Sequence, residues 1–274
     1  MAIYVGTDQI LKIYAGPNIS VDPDAQAFLT ATGITDPTIT SAIDTLVTDL
    51  KGYGLWTKFN AIYPMVGGTS TTCKYNLIDP RDLDAAFRLT FNGTITYAST
   101  GITSDGTSGY AQTHLVPNTT LSLDNTHISA YVRTVGATID DVEMGIQGGT
   151  DGLFIAPYYA PGLQNFRAVN SSQIGPSTLG TTIPAFYQAN RISSTTSKQY
   201  RNGSILNTDA ASSGTLSVRE IYLLCYHSTT PGSPAFISGR ENAFASIGEG
   251  MTDAEAGDFY TAVQAFQTTL SRQV

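Results

Sequence analysis

Ser197-Lys198-Gln199-Tyr200-Arg201-Asn202-Gly203-Ser204-Ile205-Leu206-Asn207 sets two strand-forming runs on either side of an Asn-Gly pair. A type I′ turn needs positive φ at both central residues, and Asn-Gly meets that need with little strain, so the stretch predicts a β-hairpin. Downstream, Arg219-Glu220-Ile221-Tyr222-Leu223-Leu224-Cys225-Tyr226 reads as a longer strand, followed by a loop rich in Pro, Gly and Ser. Thr252-x-x-Glu255 is then a capping box. Behind it Ala256, Phe259, Tyr260, Val263, Phe266 and Leu270 recur at helical spacing. The expectation is a β-rich body closed by one C-terminal helix.

Upstream, Phe87, Leu89 and Phe91 alternate with Arg88 and Thr90, which predicts a strand with one buried face, and Asn92-Gly93 predicts a turn back into Thr94-Ile95-Thr96-Tyr97. Ile128–Arg133, Leu153–Pro157 and Ala185–Gln188 are further strand candidates separated by Gly, Ser and Pro clusters. Short strands at this spacing predict an antiparallel β-sandwich or jelly roll, not alternating βαβ units. Helices precede them. Asp36-Pro37 supplies an acidic N-cap and a proline at the first helical position, with Ile39, Ile43, Leu46, Val47 and Leu50 as the apolar stripe and Gly52 and Gly54 as the stop. Ala25 to Thr30 reads as a short helical turn. Among the first twenty residues, Ile3-Tyr4-Val5-Gly6 is echoed by Ile13-Tyr14-Ala15-Gly16. An isolated hairpin is marginal in water, so this pair reads as an arm that docks on another subunit or a larger particle, or else as two edge strands of the main sandwich.

Only 13% of the 274 residues are charged, and the net charge is −8. The 14 Lys and Arg are scattered, leaving no basic stripe to neutralise phosphates, which argues against nucleic acid as a partner. No stretch approaches the roughly 20 apolar residues that span a bilayer, and no basic n-region followed by an apolar run opens the chain. Synthesis in a cytoplasm without membrane insertion is the expectation. Cys73 and Cys225 lack metal-type spacing; Cys225 sits in an apolar run and reads as a small core residue, while a disulfide between the two stays open.

The hairpin ending in Asn202-Gly203, the Ile221-Tyr222-Leu223-Leu224 strand and the terminal helix resemble the closing half of concanavalin A-like or laminin-G-like sandwiches. The ending Phe244-Ala245-Ser246-Ile247-Gly248-Glu249-Gly250-Met251-Thr252-Asp253-Ala254-Glu255, running on from Tyr260 to Val274, resembles structural proteins of tailed bacteriophages. The similarity runs from about Ala25 to the end and includes the aromatic segment Leu55–Pro64 and the Ser104–Thr113 turn and strand. It implies a helical segment packed on the sandwich (25–66) and a concanavalin A-like, laminin-G or jelly-roll sandwich (67–274) closed by a helix at 253–270; the hairpin arm read from the residues (1–24) precedes them. It implies a virion protein, made in the host cytoplasm and displayed on tail or capsid. Such a protein would contact other virion proteins through its arm, form a homo-oligomer, and serve host-glycan attachment or particle decoration. A glycan depolymerase and a bacterial carbohydrate-binding lectin are the alternatives.

The residues themselves offer little catalytic chemistry. Concanavalin-like glycosidases place two glutamates around an aspartate so that nucleophile and acid flank one glycosidic bond. The nearest match, Asp140-Asp141-Val142-Glu143, lacks the first glutamate because position 139 is Ile, and reads as a solvated turn. Asp105, Asp140 and Asp141 are the acids a calcium ion would take, without the spacing of a known loop. His114, His127 and His227 show no metal spacing and read as structural. No nucleophile elbow, phosphate loop or dinucleotide fingerprint occurs, and no cofactor is implied. The reading is a non-enzymatic protein. For glycan contact the candidates are Tyr158 and Tyr159, placed in a loop between Pro157 and Pro161, and Trp56, whose other reading is a buried anchor.

Overall fold

The structure, a computed structural model, describes residues 20–135, 140–148, 151–160, 163–170, 183–228 and 233–274. Side chains at 148, 159, 160, 163–165 and 170 lie outside that description, as do residues 1–19 and with them the proposed hairpin arm. The first half contains α1 (Pro23–Thr32), α2 (Pro37–Gly52), β1 (Phe59–Tyr63), the single turn α3 (Ser70–Cys73), β2 (Thr90–Asn92), β3 (Ile95–Ala98), β4 (Gly101–Ser104), β5 (Tyr110–Gln112), the single turn α4 (Pro117–Thr120) and β6 (Thr126–Val132). The second half contains β7 (Met144–Gly148), β8 (Asp151–Ala160), β9 (Leu163–Asn170), β10 (Ala185–Ser193), β11 (Thr196–Arg201), β12 (Ser204–Asp209), β13 (Tyr222–Leu223), β14 (Tyr226–His227), β15 (Pro234–Ala235), β16 (Glu241–Gly248) and α5 (Asp253–Thr269).

These elements form three layers. An inner sheet has the order β12-β11-β10-β6-β16-β4-β3, with β1 also on β16; an outer sheet has the order β15-β14-β7-β13-β5-β2, with β8 on β7 and β9 on β8. Most pairs are antiparallel, and β14 runs parallel to β7. Ile128, Ala130 and Val132 of β6, Ala185, Tyr187 and Ala189 of β10, and Ala245 and Ile247 of β16 point into the core between the sheets. The intervening Tyr131, Phe186 and Phe244 point the other way, into a second core with Phe28 of α1, Leu46 of α2 and Phe259 of α5. Period-two alternation thus serves two cores at once. The fold is a mainly β, two-sheet sandwich with helices packed on the far face of one sheet.

Much of the local reading holds. Asn202 and Gly203 have φ of 49° and 72°, the type I′ signature, between β11 and β12. Asp36 caps α2 by accepting from Thr38 N at 2.8 Å and Ile39 N at 2.9 Å, and Thr252 and Glu255 form the capping box of α5. Five expectations about these elements need correction. The helical turn at 25–30 is part of a ten-residue helix starting at Pro23, and β1, inside the helical segment 25–66, pairs with β16, so that segment contributes a strand to the sandwich. The strand expected from Phe87 begins only at Thr90, because Phe87 takes φ of 59° at the end of a 3-10 turn. Asn92-Gly93 is no hairpin: β2 lies in the outer sheet and β3 in the inner one, and a Cβ on Gly93 would sit 2.0 Å from Ser108 O. The run Arg219–Tyr226 is broken by Leu224, with φ of 63°, into β13 and β14. Cys73 and Cys225 are both free and buried.

The acids of Asp140-Asp141-Val142-Glu143 are not all solvated. Asp141 and Glu143 are buried, and Glu143, just before β7, accepts from Arg240 Nη1 at 2.8 Å, Asn242 Nδ2 at 2.7 Å and Ser238 Oγ at 3.0 Å. Asp141 Oδ2 lies 3.8 Å from the same Arg240 nitrogen. Because Asn242 belongs to β16, this network fastens the outer sheet to the inner one. On the helix-facing side, His127 is fully buried, with Nδ1 against the Glu249 carbonyl and Nε2 3.0 Å from Ser246 Oγ, which in turn lies 2.6 Å from Ser129 Oγ. A carbonyl only accepts, so Nδ1 carries the proton of the neutral ring.

Two outcomes follow from these buried groups. Burial lowers the His127 pKa from 6.5 to about 4, so the unfolded chain gains a proton there before the folded one does. This residue contributes stability above pH 6.5 that is lost as pH falls toward 4, by about 3 kcal/mol in all. Urea unfolding of wild type and His127→Asn between pH 7 and 4 should show a shallower acid decline in the variant; equal slopes would exclude this origin. Glu143→Ala removes the hydrogen-bonded carboxylate of buried Arg240 and leaves it the more distant Asp141, which should lower unfolding free energy by about 3 kcal/mol, with Glu143→Gln costing less.

Candidate functional site

The inner sheet is covered on both faces by large cores, whereas the outer sheet's other face carries only a small cluster of Val142, Phe154 and Ala156, with Tyr226 packed against it, among the described residues. Across its other face runs a row of cross-strand partners, Thr90, Gln112, Tyr222, Gly145, Phe154 and Arg167. At the β5 and β13 end of this row a cavity of about 360 Å³ opens, lined by His114, Val116, Arg219, Glu220 and His227. The antiparallel pairing of Tyr222 with Gln112 and Leu223 with Ala111 brings the preceding Glu220 beside His114.

The Glu220 carboxylate is fixed from two sides: Gln112 Nε2 donates to Oε1 at 2.9 Å, and the His114 backbone N–H donates to Oε2 at 2.8 Å. Gln112 is itself oriented by Asn92 Nδ2 at 3.1 Å. His114 adopts φ of 57°, which turns its ring to place Nε2 2.8 Å from Thr90 Oγ1 and 3.5 Å from Asp84 Oδ1, with Nδ1 3.6 Å from Glu220 Oε2. Asp84 is in turn held by Arg88 at 2.9 Å. His227 stacks flat on Tyr222, centroids 4.2 Å apart and planes 6° from parallel, and Tyr110 lies 5.0 Å from Tyr222 on a tilted plane. His227 Nδ1 is 3.1 Å from the Glu220 carbonyl, so that nitrogen is the donor and Nε2 is left as the acceptor of the neutral ring. Burial, with the Glu220 charge adding, pushes the Tyr222 phenol up to about 12, so it remains a neutral hydrogen-bond donor. Exposed Arg219 stands at the rim.

A preorganised carboxylate, an imidazole acceptor and a guanidinium can together meet a hydroxyl-rich ligand: carboxylate and imidazole accept from hydroxyls and guanidinium donates, while the buried Tyr222–His227 stack forms a rigid wall behind them. Sequence reasoning missed this cluster because His114, Glu220 and His227 are scattered over 113 positions and none sits in a motif. The available signal was the alternation of Glu220 and Tyr222 in an otherwise apolar run, which puts both on one face of a strand.

The residues singled out from the sequence lie elsewhere and are not brought together. Tyr158 is in β8, not in a loop; it is half-buried and packs against the core between the sheets. Pro157 is tolerated there because the β8–β9 register shifts between Ala156 and Ala160, where a strand can spare an N–H. The Tyr159 side chain lies outside the described residues. Trp56, in a 3-10 turn, is partly buried against the helix-side core with Lys51 Nζ 5.4 Å from its ring centroid. Asp105 builds its own turn: its carboxylate accepts from Ser108 N at 2.7 Å, Thr107 N at 2.9 Å, Gly109 N at 3.1 Å and Ser108 Oγ at 2.7 Å. Those donors hold its pKa far below the usual carboxylate range. Asp140 occupies a left-handed position with φ of 70°, and Asp141 faces Arg240. Among the described residues no three His, Cys, Asp or Glu side chains converge as a metal site.

No family model matches the chain, and no curated protein matches it in sequence. Among solved structures it is similar to domain 4 of an extracellular arabinanase from Geobacillus stearothermophilus, in complex with arabinotriose, at 14% identity and a TM-score of 0.51, covering 74% of this chain and 98% of that one. It is also similar to the receptor-binding domain of a botulinum neurotoxin C/D mosaic serotype (11% identity, TM-score 0.49, 75% and 51% of the two chains) and to Trypanosoma rangeli sialidase (9%, 0.47, 73% and 32%). At 14% identity the likeness to the arabinanase domain shows the fold alone.

Proposed function

We propose that this chain is a non-enzymatic glycan-recognition protein and that the cleft between His114, Glu220 and His227 is its binding face. The carrying observation is the Glu220 carboxylate, fixed by Gln112 and the His114 amide beside the Tyr222–His227 stack. A rigid charged acceptor backed by a buried aromatic stack is already oriented, which hydroxyl-rich ligands reward. The arabinotriose in the similar arabinanase domain supports the same ligand class. The resemblance of Phe244–Glu255 and the closing helix to tailed-phage structural proteins supports a concanavalin A-like sandwich displayed on a virion. Under that reading residues 1–24 contact other virion proteins, the chain is a homo-oligomer, and the ligand is a host-surface glycan.

Glu220→Gln keeps the shape of the side chain and removes its charge, and Arg219→Ala removes a rim donor without disturbing the core. On a glycan array each should weaken binding by about 10-fold or more, the worth of a charge-assisted hydrogen bond. Wild-type levels in both variants would exclude this cleft, and release of reducing ends from a bound polysaccharide would overturn the non-enzymatic reading. Mass spectrometry of purified particles checks the virion assignment; recovery of the protein from host lysate alone would count against it.

A further inference from the structure

A second cavity, of about 270 Å³, is lined by Asn60, Thr120, Leu121, Ser122, Asn125 and Glu249. It shares a chain segment with the first. Val116 lines the one and Thr120 the other, and between them runs the α4 turn with exposed Asn118 and Thr119. The turn keeps their backbones close, Thr119 N donating to the Val116 carbonyl at 3.2 Å and Leu121 N to that of Pro117 at 2.8 Å. The two cavities therefore lie at the two ends of this one turn.

The chemistry of the second cavity narrows what it accepts. Its polar lining is amide, hydroxyl and one carboxylate, over the apolar Leu121. The Asn125 amide is set by its neighbours, its Oδ1 accepting from Gly250 N at 2.9 Å and its Nδ2 donating to Glu249 Oε2 at 3.4 Å. Among the described residues no Lys or Arg lines the cavity, and nearby Lys58 is engaged by Glu255 at 3.0 Å and the Gly250 carbonyl at 3.3 Å. A ligand carboxylate or sulfate would meet Glu249 without a counter-charge, whereas neutral hydroxyls find both donors and acceptors.

We infer that the two cavities are subsites of one binding strip and that the ligand is a chain of neutral sugars, not a single terminal sugar. This rests on the glycan reading above and adds the ligand's length and charge. Occupying the second subsite from a chain already held in the first is an intramolecular step, so affinity rises with ligand length. The test is a ladder of linear gluco-, manno- and arabino-oligosaccharides of one to six residues, titrated calorimetrically against wild type, Thr120→Val and Glu249→Gln. For at least one ladder, wild type should gain 10-fold or more between the shortest bound member and the longest, and each substitution should cut that gain at least threefold. A gain absent in wild type, or unaltered by both substitutions, overturns the two-subsite inference while the single-cleft reading stands. Binding of no neutral ladder alongside binding of acidic glycans on the array overturns the charge assignment. Failure of wild type to bind any glycan removes the glycan reading itself and this inference with it.

Discussion

Burial of the inner sheet on both faces is the constraint from which the rest of the molecule follows. Every residue of β6 is buried, and β10 and β16 are nearly so. Each strand must therefore supply apolar groups alternately to two cores. Where a position is polar it must find a partner in the interior: His127, Ser246 and Ser129 satisfy one another, and Asn190 closes on the Met251 backbone with Oδ1 and Nδ2, each at 2.7 Å. Gln188 lies in the same row, opposite Ser129 and Tyr200, and neither amide atom meets a partner among the described residues. An unsatisfied buried amide costs about 1–3 kcal/mol. The surrounding packing carries that cost.

The helical layer exists to cover that second face. Phe259 of α5 sits amid Phe59, Phe186 and Phe244, with centroids 5.0, 5.2 and 6.1 Å away. The chain end is locked behind it by Arg272, wholly buried, whose guanidinium donates to the carbonyls of Pro64, Met65 and Ala243 at 2.7, 2.9 and 3.0 Å. Burial pulls its pKa down to about 9. The outer sheet's far face carries a smaller cluster of Val142, Phe154 and Ala156 beside Tyr226. Gly145 marks the middle of that face, and any Cβ there would fall 2.2 Å from the Phe154 Cβ, so the strands on either side approach closely.

The legible parts of the fold were those decided by neighbours in sequence. Asn202-Gly203, Asp36-Pro37 and Thr252-x-x-Glu255 specify their turn and caps through backbone geometry and hydrogen bonds that span four residues or fewer, and all three form as read. The period-two runs at Ile128–Arg133 and Ala185–Gln188 likewise became strands, because alternation is a local property. Asn92-Gly93 has the same dipeptide chemistry as the true hairpin, yet it is a corner between sheets. What differs is the partner strand, β5 for β2 and β4 for β3, and nothing within the turn encodes that choice.

Charge and site were the least legible, for the same reason. Asp141 and Glu143 look like surface acids until Arg240 and Asn242, about a hundred positions away, close over them. Tyr158 looks like a loop aromatic until the β8–β9 register shift absorbs its proline neighbour. By itself the sequence determined the hairpin, the caps, the alternation and so a β-rich body with a closing helix, since those depend on torsions and short hydrogen bonds. Only the tertiary structure decided which sheet each strand joins, which acids are buried, and that Glu220, His114 and His227 meet beside Tyr222, because pairing between distant strands is selected by the joint burial of two cores and not by any local signal.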